Sequence, residues 1–236
     1  MRRVFWMTIR GTFLRRRSVL MGGLIALPIL AAGFIRLSGR PGGSMLPLLS
    51  VGMIHGVITL ISLIYGSSLM GDEISSGTWI YLATRPISRS KLIIGKFLGY
   101  AAVILSIVAV TITSICLLIW PGWEGYLRYL ASFALGGLAY GGVGLFLGVW
   151  TRRPILIGLL LIGWEKIASQ VPGALRRLTI MDYMLSIFPS TRGVRFILKG
   201  RLSPYHAAAI LALIAILFIW RSIARLKGKE ISTFSP

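Results

Sequence analysis

A chain of 236 residues that is 56% apolar and only 14% charged has too little polar surface to clothe a soluble domain of its size. Its mean hydropathy of +0.81 excludes a disordered polypeptide as well. One cysteine, Cys116, excludes an intrachain disulfide framework and a multi-thiolate metal site, and two histidines with six acids leave few parts for a metalloenzyme centre. The formal net charge of +20 suggests nucleic acid at first sight. The basic residues punctuate apolar runs, however, a placement that suits membrane insertion and anionic headgroups.

In chain order, residues 1–17 mix Val4, Phe5, Trp6, Ile9, Phe13 and Leu14 with arginines, and predict an interfacial helix along the membrane surface. Six apolar runs follow, at residues 18–35, 45–70, 92–119, 129–150, 155–171 and 202–220. Each is near the length of about 20 residues that crosses a hydrocarbon core about 30 Å thick. The fold class expected is an all-α integral membrane protein with six transmembrane helices in a single domain over residues 1–236. The first run is a poor signal peptide, because its n-region would be long and Phe34-Ile35 follow the small residues Ala31-Ala32-Gly33. The continuous runs exclude an alternating β-barrel pattern, and no internal repeat suggests a solenoid.

Counting Lys and Arg by side gives 16 when the N-terminus is inside, against 10 opposite, and seven of those ten fall between Lys166 and Arg201. Both termini are therefore expected in the cytoplasm. The connection at residues 71–91 then faces inside. It carries Asp72 and Glu73, a Ser75-Ser76-Gly77 breaker, and an amphipathic stretch with Trp79, Ile80 and Leu82 that Pro86 stops. A short helix at the water interface is expected there, either as a plain anchor or as a docking element.

Glu165 is the isolated charge within an apolar run. Ten residues after Ile155, at about 1.5 Å each, it is expected about 15 Å deep, facing protein or a water cavity. Lys166 points elsewhere on the helix and Ser169 shares the Glu165 face. Gly137-x-x-x-Gly141 and Gly144-x-x-x-Gly148 allow close helix approach, within one chain or between two; Gly52-x-x-x-Gly56 has the same spacing. His55 lies in the second run near Ser50, Thr59 and Ser62, where a polar neighbour is the expected role. Residues 172–204, broken by Pro172-Gly173, Pro189 and Ser203-Pro204, suggest short interfacial or re-entrant helices capping the outer mouth.

The set Glu73-x-x-x-Gly77-Thr78, Arg85-Pro86-Ile87-Ser88-Arg89 and Gly95-Lys96 resembles the signature of ABC-2 type transporter permeases. Trp164-Glu165, Val171-Pro172-Gly173, Asp182-Tyr183 and the basic entry Leu14-Arg15-Arg16-Arg17 resemble other parts of the same family. The resemblance implies a coupling helix seated on a separate ATPase subunit, with Glu73, Gly77, Thr78, Trp79, Leu82, Arg85, Pro86 and Arg89 at the contact. It also implies a second permease copy, a place in the cell membrane, and export. The chain has no Walker A motif, since Gly95-Lys96 is followed by Phe97 and preceded at the required distance by Ser90. ATP and Mg are thus expected on the partner ATPase, with no catalytic residue, metal or cofactor on this chain. The competing readings are an intramembrane hydrolase pairing His55 with Ser50 or Ser62, against which no Gly-x-Ser-x-Gly or His-Glu-x-x-His motif is present, and a passive membrane scaffold.

Overall fold

The computed structural model describes residues 17–38, 50–77, 88–119, 125–151, 153–169, 175–188 and 202–233. The described residues form helices and no strands. In order they are α1 (Arg17–Leu37), a π-helical turn (Ser50–Ile54), α2 (His55–Ser75), α3 (Arg89–Ile119), α4 (Tyr126–Trp150) and α5 (Pro154–Ala168). A 3₁₀ turn (Leu175–Leu178) then leads to α6 (Ile180–Ile187) and α7 (Pro204–Thr233). The expected interfacial helix at residues 1–17 falls, but for its last residue, outside the described residues.

Four helices are long and apolar enough to cross a bilayer, over Gly52–Ser75, Arg89–Leu118, Tyr126–Trp150 and Pro204–Leu226. The apolar part of α1, Met21–Leu37, is shorter. Helix α5 has 15 residues, about 22 Å at 1.5 Å each, so it is shorter than the run at 155–171 suggests. Its last backbone bond runs from the Ser169 N–H to the Glu165 carbonyl, and the Ser169 hydroxyl donates to the carbonyl of Lys166. Glu165 therefore falls in the last turn of a short helix, eleven residues after its start at Pro154.

Helix α4 is the centre of the bundle. It packs against α2, α7, α3, α5 and α6. Two thirds of its most apolar window is buried (67%), whereas α7 buries 22%. The outward faces carry large apolar side chains, among them Leu105, Val110, Leu160, Leu213 and Ile216. In a chain with this many apolar helices, such a surface suits hydrocarbon rather than water.

Helix ends sort into two groups. At one end lie the C-termini of α2 and α4, the N-termini of α3 and α5, and the Leu226 region of α7. Contacts hold them there: Lys96 donates to the Leu69 carbonyl at 2.8 Å, Arg89 to the Leu226 carbonyl at 3.3 Å, and Gly71 faces Gly148 and Pro154. At the other end the Arg36 guanidinium of α1 donates to the Leu117 and Leu118 carbonyls that close α3, at 3.2 and 3.1 Å. Phe188, just after α6, packs on Tyr129 and Phe133 near the start of α4.

Candidate functional site

Two places gather the polar groups that an apolar bundle does not need for packing. The first is the junction between α2 and α3. Helix α2 runs through Gly71-Asp72-Glu73-Ile74 before it ends, so these residues are helical and the connection is shorter than residues 71–91. Its stop is local chemistry. The Ser75 and Ser76 hydroxyls donate to the Asp72 carbonyl, and Gly77 follows at φ +71°, the left-handed conformation that favours glycine after a helix end. Glu73 forms an ion pair with Lys96, about two turns inside α3. The pair ties both flanks of the connection together, and Lys96 is almost wholly buried while doing so. Arg89 joins α3 to α7 from the same junction. Thr78, Trp79, Leu82, Arg85 and Pro86 lie outside the described residues.

The second place lies around Glu165, level with the middle of α4. The side chain is buried, with 5% of its surface exposed. One carboxylate oxygen, Oε2, accepts from the Tyr140 hydroxyl of α4. The other, Oε1, accepts at 2.7 Å from the backbone N–H of Ile180, the first residue of α6. That N–H is one of the donors a helix start leaves without an intrahelical partner, and a carboxylate beside it also meets the positive end of the helix dipole. The Thr179 hydroxyl caps the same helix by accepting from the Asp182 N–H at 3.3 Å. Asp182, itself buried, pairs at 2.6 Å with Arg176 of the preceding 3₁₀ turn. The Tyr183 hydroxyl donates to the Arg177 carbonyl at 2.6 Å. Turn and helix thus form one cross-braced piece.

Helix α6 rests on a stripe of α4 with a spacing of four residues: Ser132, Gly136 and Tyr140. Ser132 donates to the Met184 carbonyl at 2.8 Å. A Cβ at Gly136 would lie 2.3 Å from the Met184 sulfur, so the glycine is what lets that side chain settle there. Tyr140 reaches α6 through Glu165. Its ring also meets His55 edge-on, centroids 6.0 Å apart. His55 lines a small crevice with Met181, Met184, Leu185 and Phe188, so its chemical surroundings are apolar.

The four glycines singled out in α4 face other helices of the same chain. Gly137 lies against Ile104 and Ser62, Gly141 under the Tyr100 ring, and Gly144 and Gly148 against the α2 backbone. The Tyr100 hydroxyl donates to the Gly137 carbonyl at 2.7 Å. Gly52 and Gly56 face open space instead. Tyr140, Ser132 and the role of Gly136 escape a reading of the sequence alone. The i, i+4, i+8 spacing of two polar residues around a glycine in an apolar helix is the signal that points to them.

Among the described residues, no three His, Cys, Asp or Glu side chains come together as a metal site would require. Comparison with known families places residues 14–169 on the model described as ABC-2 family transporter protein. That segment is well over half of the chain, takes in both Tyr140 and Glu165, and ends before Ile180. Among curated proteins, no match was found.

Proposed function

The chain belongs to the ABC-2 family of transporter proteins, and from that premise we propose that it is the permease half of an ATP-driven exporter. Membership makes it a transporter component, and the apolar helices make it a multi-pass membrane protein. Family membership also implies association with an ABC-type ATPase. The rest of the reading is built on the charge pattern and the junction chemistry: six passes, both termini inside, two copies enclosing a path, and hydrolysis carried out by the partner chain at a site holding ATP and Mg. The lipid contacts, the cell-membrane location and the export direction belong to the same proposal.

The observation that carries it is the Glu73–Lys96 pair. A push on the connection between α2 and α3 reaches a joint in which α2, α3 and α7 are bonded to one another, so the helices respond together. Coupling of this kind needs an element with two arrangements that nucleotide biases. Thr78, Trp79, Leu82, Arg85, Pro86 and Arg89 form the contact with the ATPase, and Gly77 sets the angle at which the chain leaves α2. The test is co-reconstitution with the candidate ATPase in proteoliposomes. The permease is expected to change the rate of ATP hydrolysis, and Glu73→Ala or disruption of Thr78–Leu82 to abolish that change while the complex still assembles. A hydrolysis rate indifferent to these variants overturns the docking role.

The hydrolase alternative is not favoured. His55 would have to bond Ser50 or Ser62; the Ser50 side chain lies outside the described residues, and among the described residues the Ser62 hydroxyl makes no hydrogen bond of normal geometry, while His55 faces an aromatic ring and apolar side chains.

A further inference from the structure

We propose that Glu165 and Tyr140 are positioning residues that form a hydrogen-bonded latch on the first amide of α6, and that α6, so held, closes the crevice beside His55. The proposal rests on the permease reading only in making that crevice part of the translocation path.

Three observations converge. The carboxylate of Glu165 uses both oxygens, one for the Tyr140 hydroxyl and one for the Ile180 N–H, so it bridges α4, α5 and α6 at a single point. The second contact of α6 with α4, from Ser132 to the Met184 carbonyl, lies a turn further along α6. Between them, Gly136 admits the Met184 side chain. The helix is thus pinned at its start, seated in its middle, and braced to its own leading turn through Arg176 and Asp182. Of the five residues lining the crevice, Met181, Met184 and Leu185 belong to α6 and Phe188 follows it. Displacing α6 removes nearly the whole wall and leaves His55 on the α2 side.

The chemistry also separates a latch from a charge carrier. A latch needs acceptor oxygens in the right places. Glutamine keeps one such oxygen, and its amide can donate to the Tyr140 oxygen, so Glu165→Gln preserves the bridge without the charge. Leucine removes the bridge and keeps the bulk. Phenylalanine at Tyr140 removes one bond of two.

The test uses the full-length chain in phospholipid nanodiscs, without ATPase or substrate. In a Cys116→Ser background, Leu185→Cys places a thiol in the crevice wall, and Ile93→Cys places a control thiol, also buried, at the opposite end. A water-soluble maleimide is the probe. Glu165→Leu is expected to raise labelling at position 185 about tenfold or more, as loss of two buried hydrogen bonds implies. Glu165→Gln is expected to stay close to the parent and Tyr140→Phe to fall between. The thiol at position 93 is expected to stay unreactive throughout. Hydrogen exchange at the Ile180 amide is expected to follow the same order, and it serves where the leucine variant does not fold.

Unchanged labelling and unchanged exchange in both Glu165→Leu and Tyr140→Phe overturn the latch. Glutamine behaving like leucine also overturns it, since the charge and not the bridge would then matter. Equal exposure at positions 93 and 185 overturns it too, because that is general loosening of the bundle. An ATPase that fails to bind counts against the permease reading alone and leaves the labelling result standing.

Discussion

Among the described residues the backbones of α2 and α4 approach closely, and Gly148→Ala is the substitution that tests it. A Cβ at Gly148 would lie 2.2 Å from the Ser67 carbonyl oxygen, with the Ser67 carbonyl carbon and Cα at 3.0 and 3.1 Å. Every one of these atoms is backbone, so no side chain can swing aside. Carbon–oxygen contact is comfortable from roughly 3.3 Å, so the two helices must part by about 1 Å. A gap of that size forfeits about a quarter to a half of the dispersion energy of the contacts it opens. Nearby contacts would open with it: a Cβ at Gly144 already sits 2.8 Å from the Leu63 carbonyl oxygen, and one at Gly66 sits 2.4 Å from that of Gly141. Overpacking of this kind costs about 1–3 kcal/mol. Alanine recovers up to about 1 kcal/mol of helix propensity. Gly163→Ala, where an added Cβ meets nothing within 4 Å, gains that propensity without the clash and is the control. By the scale for chains of this size, each kcal/mol lost lowers the melting temperature by about 2–4 °C. The assay is thermal unfolding in detergent, read by a thiol-reactive dye on the buried Cys116. Gly148→Ala melting level with Gly163→Ala would refute the backbone contact. Gly136→Ala sharpens the comparison, because its equally short approach is to the flexible Met184 side chain and should cost less than Gly148→Ala.

Three other outcomes are expected. Lys96→Met removes the buried ammonium that pairs with Glu73, and a double-mutant cycle with Glu73→Gln should show a coupling of about 1–2 kcal/mol, the lower part of the range for coupled neighbours because Glu73 is 29% exposed; additive effects within error would dismiss the pair. Arg36→Gln takes two hydrogen bonds from the end of α3 at an exposed site and should lower stability by about 1 kcal/mol, with faster hydrogen exchange confined to α1 and the close of α3. Asp182→Asn leaves the cap of α6 in place but weakens its brace to Arg176, so it should destabilise by about 1–3 kcal/mol. Exchange at Ser186, whose hydroxyl bonds the Asp182 carbonyl, reports whether the helix loosens with it.

The sequence shows where helices lie more readily than what they touch, and the glycines of α4 give the reason. A continuous apolar run must satisfy its own backbone in a medium without water, so the run itself announces a helix, and α3 and α4 begin within three residues of the runs that foretell them. Ends are set by different forces. Helix α2 outlasts its apolar run because Gly71 packs on Gly148 and Glu73 finds Lys96, while α5 ends at Ala168, three residues before its run does. Partners are harder still. Gly136 and Gly137 are neighbours in the chain, yet they serve opposite sides, one admitting Met184 of α6 and the other Ile104 of α3, as a helical step of about 100° requires. Spacing alone marks both as sites of close approach and cannot name the companion. Glu165 stands out for a related reason: an acid in an apolar run is costly enough to demand a partner, so its importance is legible. Its partners, Tyr140 and the Ile180 amide, lie 25 and 15 residues away, and one is a backbone group with no side-chain signature at all. A carboxyl group that holds a helix start from another helix therefore leaves half of its evidence in the sequence, and the missing half is the half that gives α6 a reason to move as a unit.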